Sequence, residues 1–383
     1  MKILHTADWH VGKVLKGRAR TEEHARVLRE VIDVAERERP DLVLVAGDLY
    51  DTAAPAADSV RVVTRALTAL RRTGAEVVAV AGNHDNGAQI DALRPWADAA
   101  GVRLVGQVAA RPEQHLLTGE TRDGEPWRLV ALPFLSQRHA VRAAEMFDLS
   151  TTEATQTYAD WVRRLVERLT EPFESGEQAV NLVTGHLTVS GGALGGGERD
   201  AHTIFPYHVP ASVFPASCHY VALGHLHRQQ EIAGPCPVRY SGSPLQVDFG
   251  EEANEAGVLL VDVAPATPAR VTVEPITSGT ALRTVRGTLD EVSALADNTA
   301  GAWLRVLLRE RPRAGLREAV QELLPDALEV RVDPEFVAGS DDRQRAVRTG
   351  RTPGQLFAAY LEERGHDDTA VKDLFERLYD EVS

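Results

Sequence analysis

Leu42-Val43-Leu44-Val45-Ala46-Gly47-Asp48-Leu49-Tyr50-Asp51 is the stretch on which the reading of this chain turns. A short apolar run closed by Gly predicts a buried strand, and this one stops at a carboxylate. The pattern recurs four times. Ile3–Ala7 runs into Asp8-Trp9-His10, and Val77–Ala81 into Gly82-Asn83-His84-Asp85. Asn181–Thr184 runs into Gly185-His186, and Tyr220–Leu223 into Gly224-His225-Leu226-His227. Strands of one parallel sheet end on the same edge, where their following loops meet. One edge is therefore expected to collect Asp8, His10, Asp48, Asn83, His186, His225 and His227, enough donors for two metal ions.

The donor types restrict the chemistry. Imidazole nitrogen suits Mn, Fe or Zn, and carboxylate and amide oxygens suit harder ions such as Mn. The absence of thiolate argues against a structural zinc site. A carboxylate between two cations can bridge them, and Asp48 is the natural bridge. Two metals about 3.5–4 Å apart can activate a water and clamp the oxygens of a phosphoester. His84 lies beside Asn83 and before Asp85, so Asp85 is expected to set the orientation and charge of an imidazole that protonates a leaving oxygen or stabilises the transition state.

The bulk numbers set the frame. A chain of 383 residues exceeds one hydrophobic core, so two or three domains are expected. Hydrophobic content of 43% with 26% charged residues describes a soluble globular protein. A net charge of -14 gives no support to broad nucleic-acid binding, so contact with a polyanion would need a local basic patch or metal ions. The two cysteines, Cys218 and Cys236, stand apart from the motifs and read as buried free thiols. The N-terminus enters a strand at once, and no apolar run approaches about 18 residues. A cytoplasmic protein without an anchor is expected.

Along the chain, the first half alternates strands and helices. A helix from about Thr21 to Arg37, with Thr21 as N-cap, buries Val27, Leu28, Val31, Ile32 and Ala35. A second starts near Pro55, and a shorter one runs through Ile90–Ala100. This βαβαβα order favours a parallel sheet. Further strands are expected at Leu104–Val108, Gln114–Leu117, Trp127–Leu132, Val238–Tyr240 and Gly257–Val263, and a second sheet is expected to pack on the first. Tyr158–Leu169 is expected to be helical. The Pro- and Thr-rich residues 264–281 suggest a domain boundary, and residues 282–332 read as a small βαβαβ unit. The expected organisation is a catalytic domain over 1–280, a small α+β capping domain over 281–337, a linker over 338–352 and a helix-loop-helix tail over 353–383.

The ordered set DxH, GDxxD, GNHD, GH and GHxH resembles the calcineurin-like metallophosphoesterases: an α/β fold, a two-sheet β-sandwich flanked by helices. His5-Thr6-Ala7-Asp8-Trp9-His10-Val11-Gly12-Lys13, Gly47-Asp48-Leu49-Tyr50-Asp51 and Tyr240-Ser241-Gly242-Ser243-Pro244-Leu245-Gln246 are similar to the SbcD family of bacterial nucleases. The resemblance covers the chain well to about residue 280; beyond that only the layout matches. It implies one metal held by Asp8, His10, Asp48 and His227, and a second held by Asp48, Asn83, His186 and His225, with His84 catalytic but not a ligand. It also implies manganese-dependent DNA cleavage in DNA repair, recombination and replication: a 3′-to-5′ exonuclease on duplex ends and an endonuclease at hairpins and blocked ends. Partnership with an SbcC ATPase subunit in an SbcC2–SbcD2 heterotetramer built on a homodimer belongs to the same resemblance.

Three segments have two readings each. Lys13, Lys16, Arg18 and Arg20 form either a flexible basic loop that grips DNA phosphates or an ordinary solvated charge run. In the tail, Leu356, Phe357, Tyr360 and Leu361 make one apolar stripe, and Val371, Leu374, Phe375, Leu378 and Tyr379 another. They dock either on the coiled-coil base of the ATPase subunit or on this chain's own small domain. Gly191–Gly197 is either a mobile loop near the DNA entrance or a disordered connection. The competing functions are a small-molecule metallophosphoesterase, such as a nucleotidase or cyclic-nucleotide phosphodiesterase, and a metal-free scaffold. The basic run, the flanking words and the tail weigh against the first, and the complete ligand set against the second.

Overall fold

The computed structural model of the chain describes residues 1–109, 112–135, 151–175, 178–198 and 208–336, with Phe357, Leu361, Val371, Lys372, Leu374 and Phe375. Two compact units result: Met1–Thr284 with Thr299–Arg305, and Val285–Asn298 with Val306–Ser383. Among the described residues, no helix is long and apolar enough to cross a membrane.

The strands of the first unit are β1 (Lys2–Thr6), β2 (Val14–Leu15), β3 (Arg18–Ala19), β4 (Leu42–Val45), β5 (Glu76–Val80), β6 (Val102–Val105), β7 (Leu116–Glu120), β8 (Pro126–Leu132), β9 (Val180–His186), β10 (Thr188–Val189), β11 (His208–Val209), β12 (Tyr220–Gly224), β13 (Gln230–Ile232), β14 (Val238–Tyr240), β15 (Gly257–Ala264) and β16 (Thr267–Pro275). One six-stranded sheet has the order β16-β15-β1-β4-β5-β6, and another the order β13-β14-β12-β9-β8-β7. β1, β4, β5 and β6 are mutually parallel, and β15 runs antiparallel to β1. In the second sheet β8, β9, β12 and β14 are parallel. The expectation of a single collecting edge is therefore corrected. β1, β4 and β5 of the first sheet end at Asp8, His10, Asp48 and Asn83, while β9 and β12 of the second end at His186, His225 and His227.

Strand periodicity explains how two sheets can share one site. Along β1, Ile3 packs into the layer between the sheets with Leu42, Leu44, Leu129, Leu182 and Ala222. Leu4 faces the other way, onto the helices that carry Val27, Val31, Val63 and Leu67. Both faces of the central strands are covered, so their sequences are apolar throughout. The outer face of the second sheet is closed by the helix Thr151–Thr170, through Tyr158, Val162 and Val166. His5 also points into the middle layer, where its Nδ1 lies 2.9 Å from Tyr220 Oη and its Nε2 3.1 Å from Leu223 O. Burial lowers its pKa to about 3, so a neutral imidazole bonds one sheet to the other.

Several local expectations are corrected. The helix α1 (Thr21–Glu38) is capped by Arg20, not Thr21, without a side-chain hydrogen bond. α2 (Ala57–Arg72) begins after Pro55, with Ala56 at the N-cap. The expected helix through residue 100 is two short ones. α3 (Gly87–Ala92) is capped by Asn86, and α4 (Arg94–Ala100) restarts with Pro95 in its first turn. The Pro-rich stretch after Ala264 is β16, paired antiparallel with β15. It lies at the sheet's edge, the place in a sheet where a proline such as Pro268 is tolerated. The residues Lys13–Arg20 are not a loose loop. β2 and β3 pair antiparallel across Lys16-Gly17, whose φ values of 48° and 88° build a tight hairpin turn.

C-terminal to β16, β17 (Leu282–Gly287), β18 (Trp303–Leu308) and β19 (Ala327–Val332) form a three-stranded sheet in that order, with helices Leu289–Ser293 and Leu316–Leu323. The first of these helices starts on a capping box formed by Thr288 and Glu291. In the tail, Phe357 and Phe375 stack with ring centroids 4.1 Å apart and planes at 12°. Leu356, Tyr360, Leu378 and Tyr379 lie outside the described residues, as do residues 338–352.

Replacing Tyr220 by Phe deprives His5 of its buried hydroxyl partner. It is expected to cost about 1–3 kcal/mol in urea unfolding; no change in midpoint would remove this bond from the account of how the sheets are held.

Candidate metal centre

The seven expected donors converge. Asp48 Oδ2 lies 3.5 Å from His10 Nε2 on one side and 3.4 Å from His186 Nε2 on the other. His10 Nε2 faces His227 Nε2 at 3.0 Å. Asn83 Oδ1 is 2.8 Å from His186 Nε2 and 2.8 Å from His225 Nδ1. Asp8 Oδ1 accepts the His225 backbone N–H at 3.0 Å, and Asp8 forms a potential ligand triad with His10 and His227. Donors that bind one ion at about 2.1 Å stand about 3–3.4 Å apart, and the separations here, 2.8 to 3.5 Å, lie close to that range.

Backbone geometry aims these side chains. Asp8, His10, Asp48 and His225 have φ of 54°, 45°, 51° and 104°. Non-glycine residues rarely adopt such values, and where they do, the surrounding structure must hold them. Two glycines are required by close approach. A Cβ on Gly47, itself at φ 98°, would lie 2.2 Å from His186 Nδ1, and one on Gly82 would lie 2.1 Å from Asp48 Oδ1. His186 Nδ1 donates to Ala46 O at 2.8 Å, which turns its Nε2 toward Asp48.

The electrostatics call for cations. Burial disfavours charge on Asp48, yet His186, His10 and His84 hold it well below the usual carboxylate range. Burial likewise opposes charge on His186 and His227, but the neighbouring carboxylates raise them to about 9 and about 10. Asp48 and Asp8 act on His186; Glu251, Asp8 and Glu198 act on His227. Burial lowers His10 to about 3 and raises Asp8 to about 6. The pocket thus draws protons onto two fully buried imidazoles. Divalent cations would replace that charge, and metal binding to such ligands releases protons. Oxygen and imidazole donors, a shared carboxylate and buried negative charge that needs compensation together fit a dinuclear metal site.

The remaining sequence-predicted residues are placed less uniformly. His84 is buried at the rim, its Nε2 4.0 Å from Asp48 Oδ2 and its Nδ1 2.9 Å from Asp51 O. The expectation that Asp85 orients His84 is corrected. The Asp85 carboxylate accepts the N–H groups of Leu49, Tyr50 and Gly82 at 3.1, 2.9 and 2.9 Å, pinning the two loops together. The Asp51 carbonyl holds the histidine instead. Arg20 is also corrected as a DNA contact. It is 2% exposed, forks onto Glu23 at 2.7 and 2.8 Å and reaches Gln246 O. Lys13 pairs with Asp51 at 3.3 Å, and the Arg18 guanidinium lies 3.9 Å from the centre of the Trp303 ring. Of the four cations, Lys16 and Arg18 are exposed.

Residues absent from the sequence reading complete the site. Glu251 Oε1 is 2.5 Å from His227 Nδ1, and Glu198 Oε1 accepts the His227 backbone N–H at 2.9 Å. Half-buried Phe134 has its ring centre 6.2 Å from that of His186 and 6.4 Å from that of His225. Glu251 follows no strand, so the pattern that exposes the ligands does not reach it. Glycine-rich residues 195–197 are anchored rather than loose: Gly195 and Gly196 donate to Glu198 at 2.6 and 2.7 Å, and Asn254 Nδ2 donates to Gly195 O at 3.0 Å.

Residues 1–229 match the calcineurin-like phosphoesterase family, and the chain belongs to that class of enzyme. The SbcD subunit of the SbcCD nuclease from Bacillus subtilis is 33% identical over 355 residues, spanning 90% of this chain and 88% of that protein. The SbcD subunit from Rhodobacter capsulatus is 31% identical over 385 residues, covering 94% of each. That of Escherichia coli K12 is 31% identical over 272 residues, covering 68% of this chain and 64% of its own. Residues 279–383 match the type 5 capsule protein repressor C-terminal domain. Within the phosphoesterases, the chain is a member of the SbcD nuclease family.

Asp85→Ala leaves three buried N–H donors without their acceptor. It is expected to destabilise the metal-free protein by at least about 2 kcal/mol in urea. Unchanged stability with lost activity would return Asp85 to a purely catalytic role.

Proposed function

We propose that this chain is the nuclease subunit of an SbcCD-type complex and hydrolyses DNA phosphodiester bonds at a manganese pair. The observation that carries the reading is the position of Asp48 Oδ2 between His10 and His186, at 3.5 and 3.4 Å. Asp8, His10, Asp48 and His227 would hold one ion; Asp48, Asn83, His186 and His225 would hold the other. The mixture of imidazole, carboxylate and amide donors without thiolate favours manganese. Bound there, the cations supply an activated water and neutralise charge on the phosphoryl oxygens.

The chain's own residues supply the rest. His84, with Nδ1 engaged by Asp51 O, directs Nε2 toward the metal pair. From there it donates a proton to the leaving oxygen or offsets the charge that develops on it. The hairpin formed by β2 and β3 carries exposed Lys16 and Arg18 next to the loop of Asp8 and His10, suited to phosphate contact despite the acidic total. Residues 281–337 form the capping domain, 338–352 the linker and 353–383 the element that docks on the coiled-coil base of the ATPase subunit. Val371 and Leu374, 39% and 48% exposed, support that docking. The protein works as a homodimer bound to two ATPase chains.

With Mn²⁺, the pure protein, alone or with its ATPase subunit and ATP, is expected to degrade end-labelled duplex and hairpin DNA. Hydrolysis of small phosphodiesters but of no DNA under either condition would overturn the nuclease reading. His84→Ala is expected to keep two metal ions per chain while cleavage falls about 10²–10⁴-fold; loss of metal would make His84 a ligand.

Replacing Val371 and Leu374 together by Asp should abolish co-purification with the ATPase subunit and leave basal Mn²⁺-dependent cleavage intact. Undiminished co-purification would contradict the docking role.

A further inference from the structure

The candidate ligands differ in what stands behind them. His186 has a neutral backbone carbonyl at Nδ1, Ala46 O at 2.8 Å. His227 has a carboxylate, Glu251 Oε1 at 2.5 Å. Glu251 is 1% exposed, and its other oxygen accepts the Val247 N–H at 2.7 Å, so the carboxylate is fixed independently of the histidine. It closes the short turn Phe249–Glu251, which Asp248 caps by accepting the Gly250 N–H at 3.0 Å.

The backbone of His227 is fixed as well. Glu198 Oε1 accepts its N–H at 2.9 Å and that of Gly195 at 2.6 Å, while Oε2 accepts the Gly196 N–H at 2.7 Å. Gly197 leaves room for the pairing: a Cβ there would lie 1.7 Å from Glu251 Oε1 and 2.9 Å from His227 Nδ1. The glycine-rich segment thus serves the metal centre by admitting a buried carboxylate behind a ligand.

We propose that Glu251 is a positioning residue that acts through His227 to make the cation position of Asp8, His10, Asp48 and His227 the tighter of the two. The inference rests on the two-metal reading. With Nδ1–H donated to Glu251, Nε2 is the nitrogen left to face His10, 3.0 Å away, and its lone pair becomes available to a cation once its own proton is released. A free imidazole would divide between two tautomers and two ring orientations; the carboxylate removes both freedoms and increases electron donation to the cation. His186, backed by a carbonyl, gains orientation without the charge.

Metal-free wild type, Glu251→Gln and Glu251→Ala are titrated with Mn²⁺ by calorimetry, with the metal-free melting temperature of each recorded. Wild type is expected to take up two ions with distinct affinities. Glu251→Gln, which keeps an acceptor but loses the charge, should weaken the tighter site about 10-fold, and Glu251→Ala about 100-fold, with the other site unchanged. Variants that melt lower without metal yet bind both ions as wild type does would make Glu251 merely structural and overturn the proposal. Fewer than two ions in wild type would overturn the two-metal reading itself. If neither variant folds, histidine-labelled wild type loaded with zinc decides by NMR. A strongly downfield Nδ1–H proton on His227 supports the pairing, and its absence overturns it.

Discussion

The structure depends on one buried carboxylate. Asp48 is 1% exposed and sits at φ 51°, with Oδ1 accepting the His84 N–H at 2.8 Å and Oδ2 shared between His10 and His186. A charge in such a place is tolerable only with compensating positive charge close by. The rest of the first unit can be read as the means of bringing that compensation to one point. Two sheets must end at the same height, their middle layer must be packed without slippage, and small residues must let loops from different sheets approach closely. Gly82 against Asp48 and Gly47 against His186 are the points where that demand reaches the sequence.

Strain follows from the same demand. Four of the candidate ligands have left-handed or otherwise positive φ. Each such residue costs on the order of 1–3 kcal/mol and persists only where its surroundings over-determine it. Asp85 is part of that over-determination, because its carboxylate ties the Leu49–Tyr50 loop to the turn at Gly82. Glu198 and Glu251 act similarly around His227. Preorganisation of this kind puts the donors in place before a cation or a phosphoester arrives, so little reorganisation remains for the bound state.

The strands that deliver the ligands were legible because the signal is local: an apolar run, a glycine, a metal-binding side chain. Their division between two sheets was not, since a strand buried on both faces has the same composition in either sheet. Adjacency in sequence misled twice. Asp85 follows His84, but the chain turns there and the carboxylate points back to Leu49 and Tyr50. Arg20 belongs to a run of cations, but it lies one residue beyond the edge of a hairpin and folds inward onto Glu23. Glu251 was invisible for the opposite reason, because its partner His227 is distant in sequence and neither a strand end nor a spacing marks it. The Pro-rich composition after Ala264 concealed an edge strand, where proline is compatible with the ladder.

The acidic total of the chain and its proposed polyanionic substrate would be reconciled at the metal centre, where cations held by the candidate ligands would meet phosphate. That claim is tested most directly by anomalous diffraction from crystals soaked in Mn²⁺. The account predicts two manganese peaks about 3.5–4 Å apart, both within bonding distance of Asp48, one beside His10 and His227 and the other beside Asn83, His186 and His225. A single peak, or two that do not share Asp48, would contradict it.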